Sequence, residues 1–125
     1  MKKIFTDQAP KAIGPYSHAI QSGNLIFCSG QTPLNPSTML MEGATATEQT
    51  MLVLSNLETV LKAAGTDRSR ILKTSVFLKN FADFEKMNKA YETFFGDHKP
   101  ARTTVEVSRL PKDALVEIDC VAEIG

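Results

Sequence analysis

The apolar residues between Thr45 and Ala64 recur at the spacing of a helix. They share one face, formed by Val53, Leu57, Val60, Leu61 and Ala64. A stripe with intervals of three and four residues is typical of an amphipathic helix packed on a core. Thr45 followed three residues later by Glu48 has the form of a capping box, and Gly65 is well placed to end the helix. The pattern therefore predicts one helix over 45–64.

The next segment has the composition of a strand and then returns to helical spacing. Ile71–Lys79 is rich in β-branched and aromatic residues, which favour strands. From about Phe81 to Phe95 a second apolar stripe follows, on Phe84, Met87, Tyr91 and Phe94. Gly96 comes directly after it and is expected to stop the helix. We therefore expect a strand over 71–79 and a second helix over 81–95.

Alternation of polar and apolar residues predicts strands toward both ends of the chain. Ser17–Ser29 has the form of a hairpin that turns at residues 23–24, where glycine and asparagine stand. Residues 102–107 alternate between polar and apolar side chains, and residues 116–124 do the same. Successive side chains of a strand point to opposite faces, so each of these strands has one apolar and one largely polar face.

The order of these elements indicates an α+β fold, built as a single domain over residues 1–125. We expect two helices packed on one face of a single sheet, with ordered loops at 9–15 and 32–43, where prolines are frequent. The opposite sheet face carries polar groups mixed with Leu115 and Val121. A face of that mixed character favours contact with another subunit, which gives the hypothesis of a sheet-to-sheet oligomer.

The composition limits the classes of molecule that this protein is expected to bind. Fourteen basic and fourteen acidic residues cancel, so the chain has no global attraction to nucleic acid or to an anionic membrane. No segment approaches the roughly 20 apolar residues of a membrane-spanning helix. Cys28 and Cys120 lie in apolar runs and are expected to be reduced, buried thiols of a cytosolic (cytoplasmic) protein.

Few residue types could carry chemistry. Only His18 and His98 supply imidazole, and no cluster has metal-ligand spacing, so we expect no metal. No phosphate-binding glycine loop opens either helix, which leaves a nucleotide cofactor without support. Arg102 and Thr104 point the same way from one strand, and a guanidinium with a hydroxyl can hold a carboxylate. If the strand of Glu117 is the neighbouring one, a carboxylate faces the arginine.

The same residues also have ordinary structural explanations. Arg102 and Glu117 could form a surface ion pair. Tyr16 could cover the core. Ser29 and Gly30 are common residues at the end of a strand, although a glycine also lets a ligand approach the backbone closely. Spacing alone leaves these alternatives open and predicts an α+β domain with a candidate anion-binding arginine.

Several blocks of residues resemble the RidA/YjgF family in order and spacing. They are Ala12–Ser17, Ser29–Gln31, Ala63–Gly65, Pro100–Arg102 and Val105–Asp113, the last running on into Val116–Ile118. The resemblance extends over nearly the whole chain. It implies a chorismate mutase-like fold, with a single mixed sheet and two helices on one of its faces. It also implies a homotrimer with the sheets at its centre and clefts between subunits that bind small carboxylates.

The matching motifs imply roles for individual residues. Arg102 would hold the substrate carboxylate, Glu117 would position or activate water, and Tyr16 would act beside them. The cleft would also be lined by Ser29, Gly30, Thr104, Phe84 and Asn88. Many family members have a cysteine where this chain has Thr104, a difference that bears on the substrate range more than on the reaction.

The resemblance implies hydrolysis of reactive 2-imino or enamine acids to 2-keto acids and ammonia, with no cofactor. The substrates would be 2-aminoacrylate with its imine, 2-iminopropanoate, and 2-iminobutanoate. One alternative is a binding or regulatory module that keeps the arginine cleft without turnover. Another is an RNA-directed ribonuclease or translation inhibitor, which the zero net charge and the lack of a basic stripe with interleaved aromatic residues disfavour.

Overall fold

Six strands form one mixed sheet in the computed structural model, which describes residues 1–125, and two helices cover one face of that sheet. The strands are β1 (Lys2–Ile4), β2 (Ala19–Ser22), β3 (Leu25–Gln31), β4 (Ile71–Leu78), β5 (Ala101–Glu106) and β6 (Val116–Glu123). The helices are α1 (Ala46–Ala63) and α2 (Phe84–Phe95). The predicted α+β fold, with one mixed sheet and two helices, is confirmed.

The strand order across the sheet is β1-β2-β3-β6-β4-β5. The last strand in the chain, β6, lies between β3 and β4 and runs antiparallel to both. The connection from β3 through α1 to β4 therefore passes over β6. The connection from β4 through α2 leads to β5, which pairs in parallel with β4 at the edge of the sheet. This topology makes β5 an edge strand that lies beneath α2.

The core lies between the two helices and the sheet. The predicted inner face of α1 is buried, and its residues Val53, Leu57, Val60 and Leu61 are each at most 1% exposed. They pack in one apolar cluster with inward-facing side chains of the central strands, among them Val76 and Ile118. Burying side chains of this size stabilises a fold by about 1.5–3 kcal/mol each. No helix combines the length and the apolar character needed to cross a membrane.

Local hydrogen bonds set where the helices begin. The backbone N–H of Glu48 donates to the hydroxyl of Thr45 at 3.2 Å, so the predicted cap is present and α1 starts directly after it. The second helix starts at Phe84, three residues later than predicted. The side chain of Asn80 accepts from the backbone N–H of Ala82 at 2.9 Å and starts a 3-10 turn over 81–83 instead.

Two features of the sheet depend on contacts between residues that are far apart in the sequence. Strand β1 is only three residues long, too short to show a period, and forms because it pairs with β2. Cys28 on β3 lies directly opposite Cys120 on β6, and both are free and buried. A hydrogen bond with Cys28, together with burial, raises the pKa of the Cys120 thiol, so this sulfur stays protonated and unreactive.

One arginine joins both helices at the end remote from the sheet centre. Arg68, in the turn before β4, donates from Nε to a carboxylate oxygen of Glu58 on α1 at 2.7 Å. It also donates from Nη1 to the carbonyl of Phe94 on α2 at 2.8 Å, and its guanidinium lies 3.9 Å from the centre of that ring. The hydrogen bond from Arg68 is the largest cause that lowers the pKa of Glu58. The ionised carboxylate therefore belongs to the folded state.

We expect Glu58→Gln to destabilise the protein at neutral pH but not in acid. A folded pKa below the unfolded value of roughly 4.3 means that ionised Glu58 stabilises the fold above that pH. This contribution is lost as the pH falls through the lowered pKa. Urea unfolding should give a lower midpoint for Glu58→Gln at pH 7, with the difference shrinking below pH ~4. Glu85→Gln, an exposed change on α2, is the control; a difference for Glu58→Gln that does not change with pH would contradict the prediction.

Candidate active site

The edge strand β5 directs Arg102 and Thr104 toward the helix side of the sheet. Arg102 pairs in register with Thr74 of β4, and Thr104 pairs with Val76. Thr74 and Val76 are fully buried beneath the helices. Because paired residues of adjacent strands point to the same face, Arg102 and Thr104 lie next to α2. Both side chains therefore share one face, as the two-residue spacing predicts.

Arg102 is held between aromatic rings and has no anionic partner. The central carbon of its guanidinium lies 4.8 Å from the ring centre of Tyr91 and 5.7 Å from that of Phe84. The side chain makes none of the three ion pairs of the protein and none of its side-chain hydrogen bonds. With Asn88 and Lys99 it lines an open cavity of about 390 Å³. Its donors are free to bind a planar anion.

Thr104 adds an unsatisfied hydroxyl to the same surface. Its Oγ1 is buried and has no hydrogen-bond partner within the protein. An unpaired buried hydroxyl costs about 1–3 kcal/mol, so such groups tend to be satisfied by a ligand or by water. Thr104 follows Arg102 on this strand face but does not itself line the cavity of the arginine.

Glu117 lies on the other face of the sheet. It pairs in register with Phe77 and alternates along β6 with buried Val116 and Ile118, so it points away from the helices. There it lines a cavity of about 220 Å³ with Tyr16 and Gly30. No lysine or arginine forms an ion pair with this carboxyl group.

Gly30 lies directly against the side chain of Glu117. A Cβ atom added to Gly30 would lie 2.6 Å from Oε2 of Glu117 and 3.0 Å from its Cδ. The β3–β6 register shifts between Cys28 and Gln31, which places Gly30 in an irregular stretch of the strand beside the carboxyl group. A side chain at position 30 would force the glutamate side chain out of its present position, whereas glycine leaves room for it.

The pKa of Glu117 is raised above its ordinary value. Burial is the larger cause, and the negative charge of Asp119 on the same strand is the second. A raised pKa lies closer to neutral pH, so the carboxyl group can both accept and return a proton under those conditions. Glu117 is therefore suited to acid–base chemistry.

Two further hydrogen bonds fix the loop that carries Tyr16. The hydroxyl of Ser29 donates to the carbonyl of Ser17 at 2.7 Å, and the backbone N–H of Ser29 donates to the carbonyl of His18 at 3.0 Å. Tyr16 itself is 45% exposed, and its hydroxyl oxygen accepts a long hydrogen bond of 3.4 Å from the N–H of Ile13. Ser29 thus holds the loop, and the Tyr16 hydroxyl can still donate to a ligand.

His18 has a structural position. Its Nδ1 accepts from the backbone N–H of Thr6 at 3.1 Å, which leaves Nε2 to donate to the carbonyl of Pro10 at 2.7 Å. The other histidine, His98, contacts the carbonyl of Ile71 through Nε2 at 2.7 Å. No group of three or more His, Cys, Asp or Glu side chains is placed to hold a metal ion.

The structure does not bring Arg102 and Glu117 together. Their strands are not neighbours, because β4 lies between β5 and β6, and the two side chains point to opposite faces of the sheet. The condition under which the carboxylate would face the arginine, namely that their strands are neighbours, is therefore not met within one chain. The reason is topological: β6 inserts between β3 and β4, while the crossover through α2 places β5 outside β4.

The candidate residues thus form two separate half-sites. The first, which we call the arginine half-site, contains Arg102, Thr104, Phe84 and Asn88. The second, the glutamate half-site, contains Glu117, Gly30, Tyr16 and the adjacent Ser29. Sequence reasoning assigned Tyr91 only to the apolar stripe of α2, although its ring contacts Arg102. The one signal in the sequence for a functional role of Tyr91 is its hydroxyl group, which stands in a stripe that is otherwise apolar.

Comparison with known proteins shows relatives in sequence and in structure. The family model for Endoribonuclease L-PSP matches residues 6–124. A RutC family protein of Pyrococcus horikoshii is 50% identical, over 95% of this chain and 94% of its own length. The chloroplastic Reactive Intermediate Deaminase A of Arabidopsis thaliana is 41% identical, over 97% of this chain and 65% of its own length. The crystal structure of E. coli TdcF with bound serine superposes with a TM-score of 0.95 at 38% identity, covering all of both chains.

These matches span nearly the whole chain, in sequence and in structure. They include a relative named as a reactive intermediate deaminase as well as a family model described as an endoribonuclease. The chain therefore belongs to the Endoribonuclease L-PSP family, also known as the RidA/YjgF/RutC family.

Proposed function

We propose that this protein is a deaminase that hydrolyses 2-imino and enamine acids to 2-keto acids and ammonia, in clefts shared between the subunits of a homotrimer. The observation that carries the proposal is the pair of incomplete half-sites. Arg102 is a cation without an anion, and Glu117 is a raised-pKa carboxyl group without a cation. Each half-site lacks the group that the other supplies, and within one chain Arg102 and Glu117 cannot contact the same substrate molecule.

A second copy of the chain can complete the cleft. The sheet face that carries Glu117 also exposes apolar side chains, with Phe27 45% and Val105 40% exposed. Apolar groups on an open sheet face favour contact between copies, and closed cyclic symmetry repeats one contact around the ring. In such a homotrimer the arginine half-site of one subunit meets the glutamate half-site of the next, which gives three equivalent clefts.

The reaction in this cleft follows from the two half-sites. The guanidinium of Arg102 binds the substrate carboxylate in two parallel hydrogen bonds, and the hydroxyl of Thr104 donates a third. Glu117 takes a proton from water as the water oxygen bonds to the C=N carbon, the π electrons move to nitrogen, and Glu117 returns the proton to that nitrogen. In the resulting carbinolamine, Glu117 moves the hydroxyl proton to the amino nitrogen as the C–N bond breaks, so that ammonia leaves and the carbonyl of the 2-keto acid forms. Water and imine are consumed and no cofactor takes part.

Two relatives support a small carboxylate as the substrate. E. coli TdcF holds serine in its crystal structure, and serine carries the same α-carboxylate as a 2-imino acid. The Arabidopsis relative is named Reactive Intermediate Deaminase A. We assign 2-iminopropanoate and 2-iminobutanoate as substrates, the former in equilibrium with 2-aminoacrylate. Phe84, Asn88 and Tyr16 form the walls around the side chain of the substrate.

The first test couples a pyridoxal-phosphate serine or threonine dehydratase to this protein and follows keto-acid formation while semicarbazide competes for the imine. The wild type should speed keto-acid formation and suppress the semicarbazone. Arg102→Ala should do neither, and should weaken 2-oxobutanoate binding by about 10- to 150-fold, as expected for loss of a charge-assisted pair of roughly 1.5–3 kcal/mol.

Lys89→Ala, which removes an exposed cation from α2, is the matched control and should behave as wild type. If the wild type binds 2-oxobutanoate but leaves both imines unchanged, the protein is a binding module and the catalytic proposal is wrong. If Arg102→Ala retains full activity, the assigned carboxylate site is wrong.

Glu117→Gln should lower kcat by about 10²- to 10⁴-fold while keto-acid binding changes little, because the amide keeps the shape but cannot move a proton. The base must be ionised, so wild-type activity should fall as the pH drops through the raised pKa of Glu117. Asp119→Asn removes the negative neighbour and should move this acid limb to lower pH. Equal losses of binding and turnover in Glu117→Gln, or an unmoved acid limb in Asp119→Asn, would count against proton transfer.

Mixing two inactive variants tests whether clefts are shared. Light scattering should give the mass of three chains for wild type, Arg102→Ala and Glu117→Gln. Co-refolding the two variants in equal amounts should restore about a quarter of wild-type activity, because roughly one cleft in four then receives both intact residues from different subunits. No recovery in mixed trimers, or a monomeric wild type, would overturn the shared cleft.

A further inference from the structure

Tyr91 lies at the junction of the core and the arginine half-site. It is 7% exposed on α2, and its ring centre is 4.6 Å from that of Phe95. Its hydroxyl makes a hydrogen bond of 2.7 Å with Oγ1 of Thr74. The ring also faces Arg102, whose guanidinium carbon lies 4.8 Å from the ring centre. One side chain therefore connects β4, α2 and the edge strand.

Arg102 depends on this ring because nothing else fixes its charged end. It has no ion pair or side-chain hydrogen bond, and Phe84 lies farther away at 5.7 Å. A free arginine side chain has considerable rotamer entropy, part of which is lost when it binds an anion in two parallel hydrogen bonds. An aromatic face that restricts the guanidinium beforehand reduces that loss and adds a cation–π attraction of about 0.5–2 kcal/mol.

The position of the ring is itself fixed from the sheet. Thr74 is fully buried and pairs in register with Arg102 across the β4–β5 ladder. Its hydroxyl needs a partner at this depth, and the hydroxyl of Tyr91 supplies it. The contact between Thr74 and Tyr91 thus places the ring relative to the backbone position from which Arg102 extends.

The ring also stays uncharged. Burial raises the pKa of the Tyr91 hydroxyl, an effect larger than the opposing ones of the Thr74 hydrogen bond and the Arg102 charge. A phenolate at this place would bind the guanidinium and compete with a carboxylate ligand. The neutral ring attracts Arg102 without occupying its hydrogen-bond donors.

We propose that Tyr91, anchored by Thr74, is a positioning residue that holds Arg102 in the orientation needed to bind the carboxylate of the substrate. The inference rests on the proposed function, in which Arg102 is the carboxylate-binding group. Tyr91 contacts the arginine and not the reacting atoms. Its effect is therefore on substrate affinity and orientation, and not on proton transfer.

The test measures 2-oxobutanoate binding by calorimetry and imine hydrolysis by the coupled assay in Tyr91→Leu, Tyr91→Phe and Thr74→Val. Tyr91→Leu should weaken binding by about 3- to 30-fold, the equivalent of the lost cation–π attraction, and should raise KM with little change in kcat. Tyr91→Phe keeps the ring but loses its anchor, and Thr74→Val removes the same hydrogen bond from the other side. These two variants should show equal and smaller effects.

Phe94→Leu is the matched control. Phe94 is also on α2, is also 7% exposed, and also packs against an arginine, Arg68, and neither residue lines the cavity of Arg102. It should lose comparable stability and keep wild-type binding and KM. Unchanged binding in Tyr91→Leu, or an equal loss of binding in Phe94→Leu, would overturn the inference.

The Arg102→Ala result separates this inference from the proposed function. If Arg102→Ala also leaves 2-oxobutanoate binding unchanged, the carboxylate site itself is wrong. If Arg102→Ala weakens binding and Tyr91→Leu does not, only the positioning role of Tyr91 is wrong. The Nε–H resonance of Arg102 gives a ligand-free readout, since loss of the ring current should shift it in Tyr91→Leu and leave it unmoved in Phe94→Leu.

Discussion

The insertion of β6 between β3 and β4 is the constraint on which the rest of the structure depends. This strand pairs with both neighbours, and its inward face supplies Ile118 and Cys120 to the core beneath the helices. Because β6 lies between β3 and β4, the sheet is continuous only when this strand is in place. The same insertion separates the two polar surfaces: it brings Glu117 beside Gly30 and leaves Arg102 two strands away, on the other face.

Much of this arrangement could be predicted from local patterns. Residues close together in the sequence determine the helix caps, the apolar stripe of α1 and the turn of the first hairpin. The structure has these features within a few positions of the expected bounds. The strand order could not be obtained in that way. Whether β5 neighbours β4 or β6 depends on which pairing buries more apolar surface across the whole sheet, and alternation gives only the two faces of each strand. The sequence therefore left open whether Arg102 and Glu117 lie on neighbouring strands.

The candidate residues themselves were predicted from family motifs, but their environments were not. Nothing in the spacing indicates that the Oγ1 of Thr104 is buried without a partner, or that Tyr91 lies against Arg102. Both facts depend on how α2 packs over β5. Of the two, the buried hydroxyl of Thr104 lowers the stability of the chain, whereas the guanidinium of Arg102 is partly exposed and only lacks an anionic partner. A folded protein that keeps such groups trades stability for binding, which is consistent with a surface that receives a ligand.

Because of the contact between Gly30 and Glu117, the residues tolerated at these two positions, far apart in the sequence, depend on each other. With the glutamate in its present rotamer, a Cβ at position 30 would come within 2.6 Å of Oε2. A larger residue at position 30 therefore requires the glutamate side chain to turn away or a shorter residue to replace it. Among relatives, a side chain at position 30 should thus accompany a carboxyl group that has moved or is missing, even where the arginine persists.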